Sequence, residues 1–257
     1  MAEQGNTVGY IVENDIAKIN LNDPPMNILT RAMMDQISDA LGKVTADSSV
    51  KAVVLTANGK AFSAGADIGE HHPEQVRDMI ASFGRMFRLF DELTLPVVMA
   101  VDGAALGAGF ELVLMADVLL ATDRATFGQP EIRLGFFAPV GVVELPALVG
   151  RAKAIEITSS GRTYSAMEMK ELGIVTEVLP PEKLNEALQA VLKDFQKASP
   201  LVMRLNVRTL KKTRGKPFRT ALDEAEKVFL EELMATEEPV EGINAFYEKR
   251  RPIWKNR

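Results

Sequence analysis

The chain has 257 residues, of which 47% are hydrophobic and 25% charged, and a net charge of −5. That length supports a substantial core in one large domain or two small ones, and the composition argues against disorder or a coiled coil. The acidic balance gives no support for nucleic-acid or membrane binding as a main role, and no apolar run reaches the roughly 18–20 residues of a membrane helix.

There is no cysteine, which excludes disulfides and thiolate chemistry. The opening MAEQGNTVGY lacks the basic-then-apolar build of a signal peptide, so a cytoplasmic protein is expected. Charge is uneven along the chain. Residues 198–257 hold 13 Lys/Arg against 9 Asp/Glu, a net +4, which leaves −9 on the first 197 residues. Seven cations and no acid lie between Arg204 and Arg219. A solvated helix face is the plainer reading of that run, and a phosphate-bearing ligand is the other.

In chain order, GYIVEN and IAKINLN alternate with strand-like period around END and predict a hairpin. DPPMN breaks the pattern. The stretch ILTRAMMDQISDALGKV then places Met33, Met34, Ile37 and Leu41 at helical spacing behind Thr30 as N-cap. VKAVVLTANG reads as a buried strand, PEQVRDMIASFGRMFRLFDELT as a helix and LPVVMAVDG as a second buried strand. A glycine-rich turn follows, then a helix from about residue 108 and the strand DVLLATD. Alternating strands and helices with short connections indicate an α/β architecture. From about residue 182 the chain reads as nearly all helix, in three segments each opened by proline: PEKLNEALQAVLKDFQKA, PLVMRLNVRTLKKT and PFRTALDEAEKVFLEELMA. With no linker or low-complexity tract, a core over 1–195 and a helical part over 196–257 are expected to form one folded unit.

The only histidines, His71 and His72, adjoin Pro73 and have no carboxylate at a defensible ligand spacing. They read as surface-turn residues. No G-x-S-x-G elbow, Walker lysine or dinucleotide fingerprint in a strand–helix context is present. The runs SAGADIG and GAALGAG are more informative. Each follows a predicted strand, and small residues let a ligand approach main-chain N–H groups. If the two strands are neighbours, their exits can present two N–H donors to one point, an oxyanion hole for charge developing on a carbonyl oxygen. Tight backbone packing explains the same residues equally well. Glu111 falls in the first turn of a helix that is otherwise apolar, where a carboxylate also suits the helix dipole. Glu131 falls in GQPEIRLG, where a loop or capping role is the plain alternative. Together they read as an acid/base pair beside the two strand exits.

These motifs carry a family resemblance. The segments KAFSAGADI, PVVMAVDGAALGAGFELVLMADVLLAT, ATFGQPEIRLG, AMEMKELGIVTEVLP and EGINAFYEKRRP resemble, in order and spacing, the enoyl-CoA hydratase/isomerase (crotonase) superfamily. The resemblance implies a spiral of ββα units with a helical C-terminal trimerisation part, and a trimer or dimer of trimers. It implies an acyl-CoA thioester as partner, with CoA part of the substrate, no further cofactor and no metal. It assigns Ala66 and Ala108 as oxyanion-hole N–H donors, Glu111 and Glu131 as the catalytic glutamates, and Gln129 as a residue that orients one of them. Lys60, Ala64, Asp67, Ile68, Phe246 and Lys249 match substrate- or CoA-binding positions, the last two reaching a neighbouring subunit's ligand.

One segment departs from the family pattern. Short-chain hydratases continue after QPEIRLG with a glycine-rich turn, where this chain has FFAPVGVVE. Pro139 stands where a glycine N–H normally helps hold the nucleophilic water, and proline has none to give. Phe136, Phe137, Val140, Val142 and Val143 make the segment bulkier, by core packing or by lining the pocket. The departure points to the family branch that hydrates alicyclic dienoyl-CoA thioesters, cyclohexa-1,5-diene-1-carbonyl-CoA among them. The competing expectations are an ordinary short-chain enoyl-CoA hydratase, a double-bond isomerase working with one carboxylate, an acyl-CoA-binding regulator, and a non-catalytic RNA-binding or scaffold protein of the same fold.

Overall fold

The computed structural model describes residues 5–257; the first four residues of the expected 1–195 core, and of the opening stretch read for a leader, lie outside the described residues. β1 (Val8–Glu13) and β2 (Ile16–Leu21) form the predicted hairpin, with Glu13 opposite Ile16. Asn14 and Asp15 link them at φ 51° and 64°, the left-handed pair a two-residue type I′ turn needs and that these side chains tolerate. α1 (Arg31–Ala46) begins after Thr30, whose hydroxyl accepts the Met33 N–H at 3.2 Å. That cap satisfies one of the helix's orphan donors, and Met33, Met34, Ile37 and Leu41 are buried as their spacing predicts.

From there the chain repeats a unit of long strand, short strand and helix. The first is β3 (Ala52–Ala57), β4 (Ala61–Ser63) and α2 (Val76–Glu92). The second is β5 (Val97–Val101), β6 (Ala104–Leu106) and α3 (Ala108–Val113). The third is β7 (Val118–Thr122), β8 (Thr126–Gly128) and α4 (Pro139–Val149). α5 (Arg151–Ser160), β9 (Thr163–Ser165), α6 (Ala166–Glu171) and β10 (Glu177–Leu179) complete the core.

The long strands build a six-stranded sheet in the order β1-β2-β3-β5-β7-β10, and the short ones a second sheet in the order β4-β6-β8-β9. β3, β5 and β7 run parallel, as do β4, β6 and β8. This stacking positions the site: the carboxyl ends of the three short parallel strands release residues 64–66, 107–108 and 129–131 side by side.

Period-2 alternation divides the long strands between two apolar layers. Val53 and Leu55 pack into the main core with α1 and α2 residues, while Ala52 and Val54 join Val98, Leu120, Leu188 and Leu192 on the opposite face. Leu188 and Leu192 belong to α7 (Leu184–Gln196), which covers that face.

The helical C-terminal part continues with α8 (Pro200–Thr213), α9 (Phe218–Lys227), a π-helical stretch over Val228–Leu233, and α10 (Glu238–Tyr247). Much of the Arg204–Arg219 charge is consumed by the structure. Arg204 donates to the carbonyls of Asp47 and Val50 at 2.6 and 3.2 Å, and Lys211 to those of Phe90 and Asp91 at 3.0 Å. Arg208 pairs with Glu232, Arg214 with Glu144 and Lys216 with Glu224. These cations lock the C-terminal helices onto the core and onto one another. The phosphate reading of the run gains no support from them.

Candidate active site

The strand exits enclose a cleft of about 710 Å³. Gly65 and Gly107 line it. Gly65 sits at φ 107°, and a Cβ there would lie 3.0 Å from the Leu106 carbonyl oxygen. Gly107 sits at φ 56°, ψ −130°, and a Cβ there would lie 2.8 Å from Glu131 Oε1. Only glycine combines those angles with that approach, so the two strand exits and the Glu131 carboxylate meet at one place.

The residues after these glycines are Ala66 and Ala108, and both line the cleft. Leu29 pairs with the chain on either side of Ala66: its N–H donates to Gly65 and its carbonyl accepts from Asp67. The Ala66 N–H is left outside that pairing. Ala108 is the first residue of α3, and an N–H at that position has no intrahelical partner.

Glu111, one turn into α3, is 2% exposed. Its Oε1 accepts the N–H groups of Val140 at 2.6 Å and Gly141 at 3.0 Å. The N-terminus of α4 therefore caps Glu111, and this contact is invisible in the sequence. Pro139 occupies the first position of α4, where its missing N–H costs the helix nothing, and it lines the cleft.

Glu131 stands in a 3₁₀ turn over Pro130–Leu134. Gln129, 1% exposed, holds it: with its amide nitrogen toward Glu131, it donates to the two carboxylate oxygens at 2.9 and 3.0 Å. Burial pushes the Glu111 carboxyl up to about 8, with the Glu131 charge adding to the effect and the Gly141 and Val140 N–H groups opposing it. Burial likewise raises Glu131 to about 6. Between those values the pair holds one proton.

The same burial makes the stability of the fold depend on pH. Below the ordinary carboxyl value of 4.5 both folded and unfolded chains are protonated, and burying Glu111 carries no charge penalty. As pH rises towards 8 the unfolded chain ionises first, so the native state loses roughly 1.4 kcal/mol for each pH unit of displacement. Glu111→Gln is therefore expected to melt above the parent at pH 8.5, by a margin that shrinks toward pH 4.5. Calorimetry across that range checks it, and a margin independent of pH contradicts it.

The remainder of the cleft is mostly apolar. α2 contributes Val76, Met79, Ile80 and Phe83, and the segment after Glu131 contributes Leu134, Phe136 and Phe137. The α2 residues fall at i, i+3, i+4 and i+7, one helical face, so the sequence carried a signal for them.

Ala64, Asp67 and Ile68 line the cleft as well. Lys60 does not: it stands at the opposite, amino end of β4, in a second cavity of about 420 Å³ with Asp102 and Arg124. Phe246 and Lys249 are exposed at the end of α10 and do not line this chain's own cleft. The surface reading holds for His72, which is exposed, but not for His71, which is half-buried and lines the cleft. Its ring packs 4.8 Å from that of Phe136, a contact between residues distant in sequence.

A profile of the enoyl-CoA hydratase/isomerase family matches residues 12–257. The chain belongs to the enoyl-CoA hydratase/isomerase family. Among its relatives, cyclohexa-1,5-dienecarbonyl-CoA hydratase of Thauera aromatica is 35% identical over 259 residues and is matched across 100% of both chains. The crystal structure of an enoyl-CoA hydratase from Bacillus anthracis superposes with a TM-score of 0.92 at 30% identity, covering 98% of this chain and 100% of that one. An enoyl-CoA hydratase structure from Mycobacterium smegmatis gives a TM-score of 0.90 at 31% identity, covering 96% and 98%. The expected crotonase-type α/β fold with a helical C-terminal part is thus the fold observed.

Proposed function

We propose that this family member is a hydratase that adds water across a conjugated double bond of an acyl-CoA thioester. The observation that carries the reading is the convergence of two carboxyls, the buried Glu111 and the half-buried Glu131, on the Ala66 and Ala108 N–H groups in a mostly apolar cleft. A thioester carbonyl seated between those N–H groups gains stabilisation as it becomes an enolate. The ionised glutamate takes a proton from water while the water oxygen bonds to the β-carbon, and the carbonyl oxygen receives the displaced electron pair. The protonated glutamate then gives its proton to the α-carbon, or to the far carbon of a dienolate. One water is consumed, and the pair ends with its proton on the other carboxyl. An isomerase needs one such shuttle, so the retained pair favours hydration.

The acyl group we propose is alicyclic, a ring dienoyl thioester such as cyclohexa-1,5-diene-1-carbonyl-CoA. Phe136, Phe137 and Pro139 in the cleft, together with the likeness to the Thauera aromatica enzyme, support this. CoA belongs to the substrate, and no other cofactor or metal is proposed. We further propose that residues 1–195 and 196–257 fold as one unit in the cytoplasm, without nucleic-acid or membrane partners. That unit assembles as a trimer or dimer of trimers in which Phe246 and Lys249 reach a neighbour's CoA. Lys60 remains a proposed CoA contact only for a part of the ligand that extends to the far end of β4. A panel of linear and cyclic enoyl- and dienoyl-CoAs, followed by mass for water addition, tests the substrate. Cyclic dienoyl thioesters are expected to be turned over fastest, and faster hydration of crotonyl-CoA than of every cyclic member overturns the alicyclic reading.

A further inference from the structure

The cleft sorts its polar groups unevenly. The Ala66 and Ala108 N–H groups and the two glutamates cluster at the strand exits, and the acyl end is built from α2 and the Leu134–Phe137 segment. His71 belongs to that apolar end, because its ring lies against Phe136. The imidazole is fixed at two points. Nδ1 lies 2.8 Å from the Asp67 carbonyl oxygen, and a carbonyl only accepts, so Nδ1 carries a proton and donates it. In the neutral ring the lone pair is then on Nε2, which has no hydrogen-bond partner among the described residues. On the same turn one oxygen of each carboxylate is taken: Asp67 Oδ1 accepts the Glu70 N–H at 3.1 Å, and Glu70 Oε2 accepts the Arg31 N–H at 2.9 Å. His71 thus lines the cleft with one ring nitrogen unpaired among the described residues and able to accept.

We propose that His71 is a specificity-determining residue whose Nε2 accepts a hydrogen bond from a hydroxyl carried by the acyl group beyond its β-carbon. The preferred ligands are hydroxylated alicyclic acyl-CoA thioesters. A hydroxyl on the β-carbon itself is the concern of the glutamates, so the two positions are chemically distinct. The fixed tautomer adds a sharper condition: a methoxy substituent, which only accepts, is not recognised. The inference rests on the cleft being an acyl-CoA site.

The test uses unreactive saturated ligands, so that binding is read apart from turnover. Cyclohexanecarbonyl-CoA, its 3- and 4-hydroxy derivatives and the corresponding methoxy derivatives are titrated calorimetrically into the parent and into His71→Phe, which keeps an aromatic ring against Phe136. The parent is expected to bind at least one hydroxy ligand roughly 3–10-fold tighter than the unsubstituted and methoxy ligands, the contribution of one ordinary hydrogen bond. His71→Phe is expected to lose that preference, its hydroxy, methoxy and unsubstituted ligands binding within about 2-fold of one another. A parent without the preference overturns the proposal, whatever the variant does, and so does a preference that survives in His71→Phe. Binding of cyclohexanecarbonyl-CoA without hydroxyl preference refutes only the role of His71. Failure of every thioester to bind refutes the acyl-CoA reading along with it.

Discussion

Glu111→Gln and Glu131→Gln are each expected to lose about two to four orders of magnitude in kcat, the usual worth of a positioned acid or base, while binding a saturated acyl-CoA within a few-fold of the parent. The amide keeps the shape of the side chain and, at Glu111, an oxygen able to accept the Val140 and Gly141 N–H groups. What it removes is the ability to take up or give a proton. Because hydration needs one carboxyl to take a proton and the other to give one, the double variant is expected to be scarcely worse than the poorer single one. The pH profile of kcat/KM in the parent is expected to be bell-shaped, with limbs near the values to which burial pushes the pair, about 6 and about 8. Below the lower limb both carboxyls are protonated and no base is present. Above the upper limb both are ionised and no acid is present. The limbs belong to the pair as a whole. Stopped assays of each variant, with calorimetric titration of the saturated thioester, check the result; near-parental turnover by either single variant contradicts the assignment.

Much of this site was legible in the sequence because its parts are local. Glu111 announced itself as an acid among apolar neighbours in a short helix, and Glu131 as the acid after a proline. The glycines of SAGADIG and GAALGAG marked places where backbone comes close. The long strands were equally plain, since β3, β5 and β7 are apolar runs of five or six residues. The short strands were not. β4, β6, β8 and β9 have three residues each, too few to display a period of two. α4 was obscured for another reason: PVGVVELPALV is apolar on nearly every side and carries Pro146 inside the helix, so no amphipathic face betrays it. Pro139 lacks a donor, as the sequence says, and it also starts a helix whose next two N–H groups hold Glu111. His71 was misread because its surroundings in sequence, GEHHP, are those of a surface turn. Its partial burial depends on Phe136, which no local pattern connects to it.

Ala108→Pro is expected to lower kcat/KM by about 10²–10³-fold with the fold intact, whereas Ala108→Gly stays within a few-fold of the parent. The contrast isolates one N–H group. Ala108 is the first residue of α3, a position where proline is favoured because its φ suits the helix and its absent N–H would make no intrahelical bond. The residue before a proline is normally restricted by a clash with its own Cβ, but here it is Gly107, which has none. Its φ of 56° and ψ of −130° mirror an extended conformation that proline tolerates in its predecessor. Gly65 adds room on the other side: the point where its Cβ would stand is 3.6 Å from the Ala108 nitrogen, and no atom fills it. Folding therefore loses little, and a melting temperature close to that of the parent is the control. Catalysis loses the donor and gains a methylene where the carbonyl oxygen has to sit, a change worth roughly 2.7–4 kcal/mol for a single oxyanion donor. Glycine at the same position retains the N–H and discards only a methyl group. A proline variant with parental kcat/KM places the carbonyl elsewhere in the cleft. A glycine variant as impaired as the proline variant makes the Ala108 side chain, and not its N–H, the group that matters.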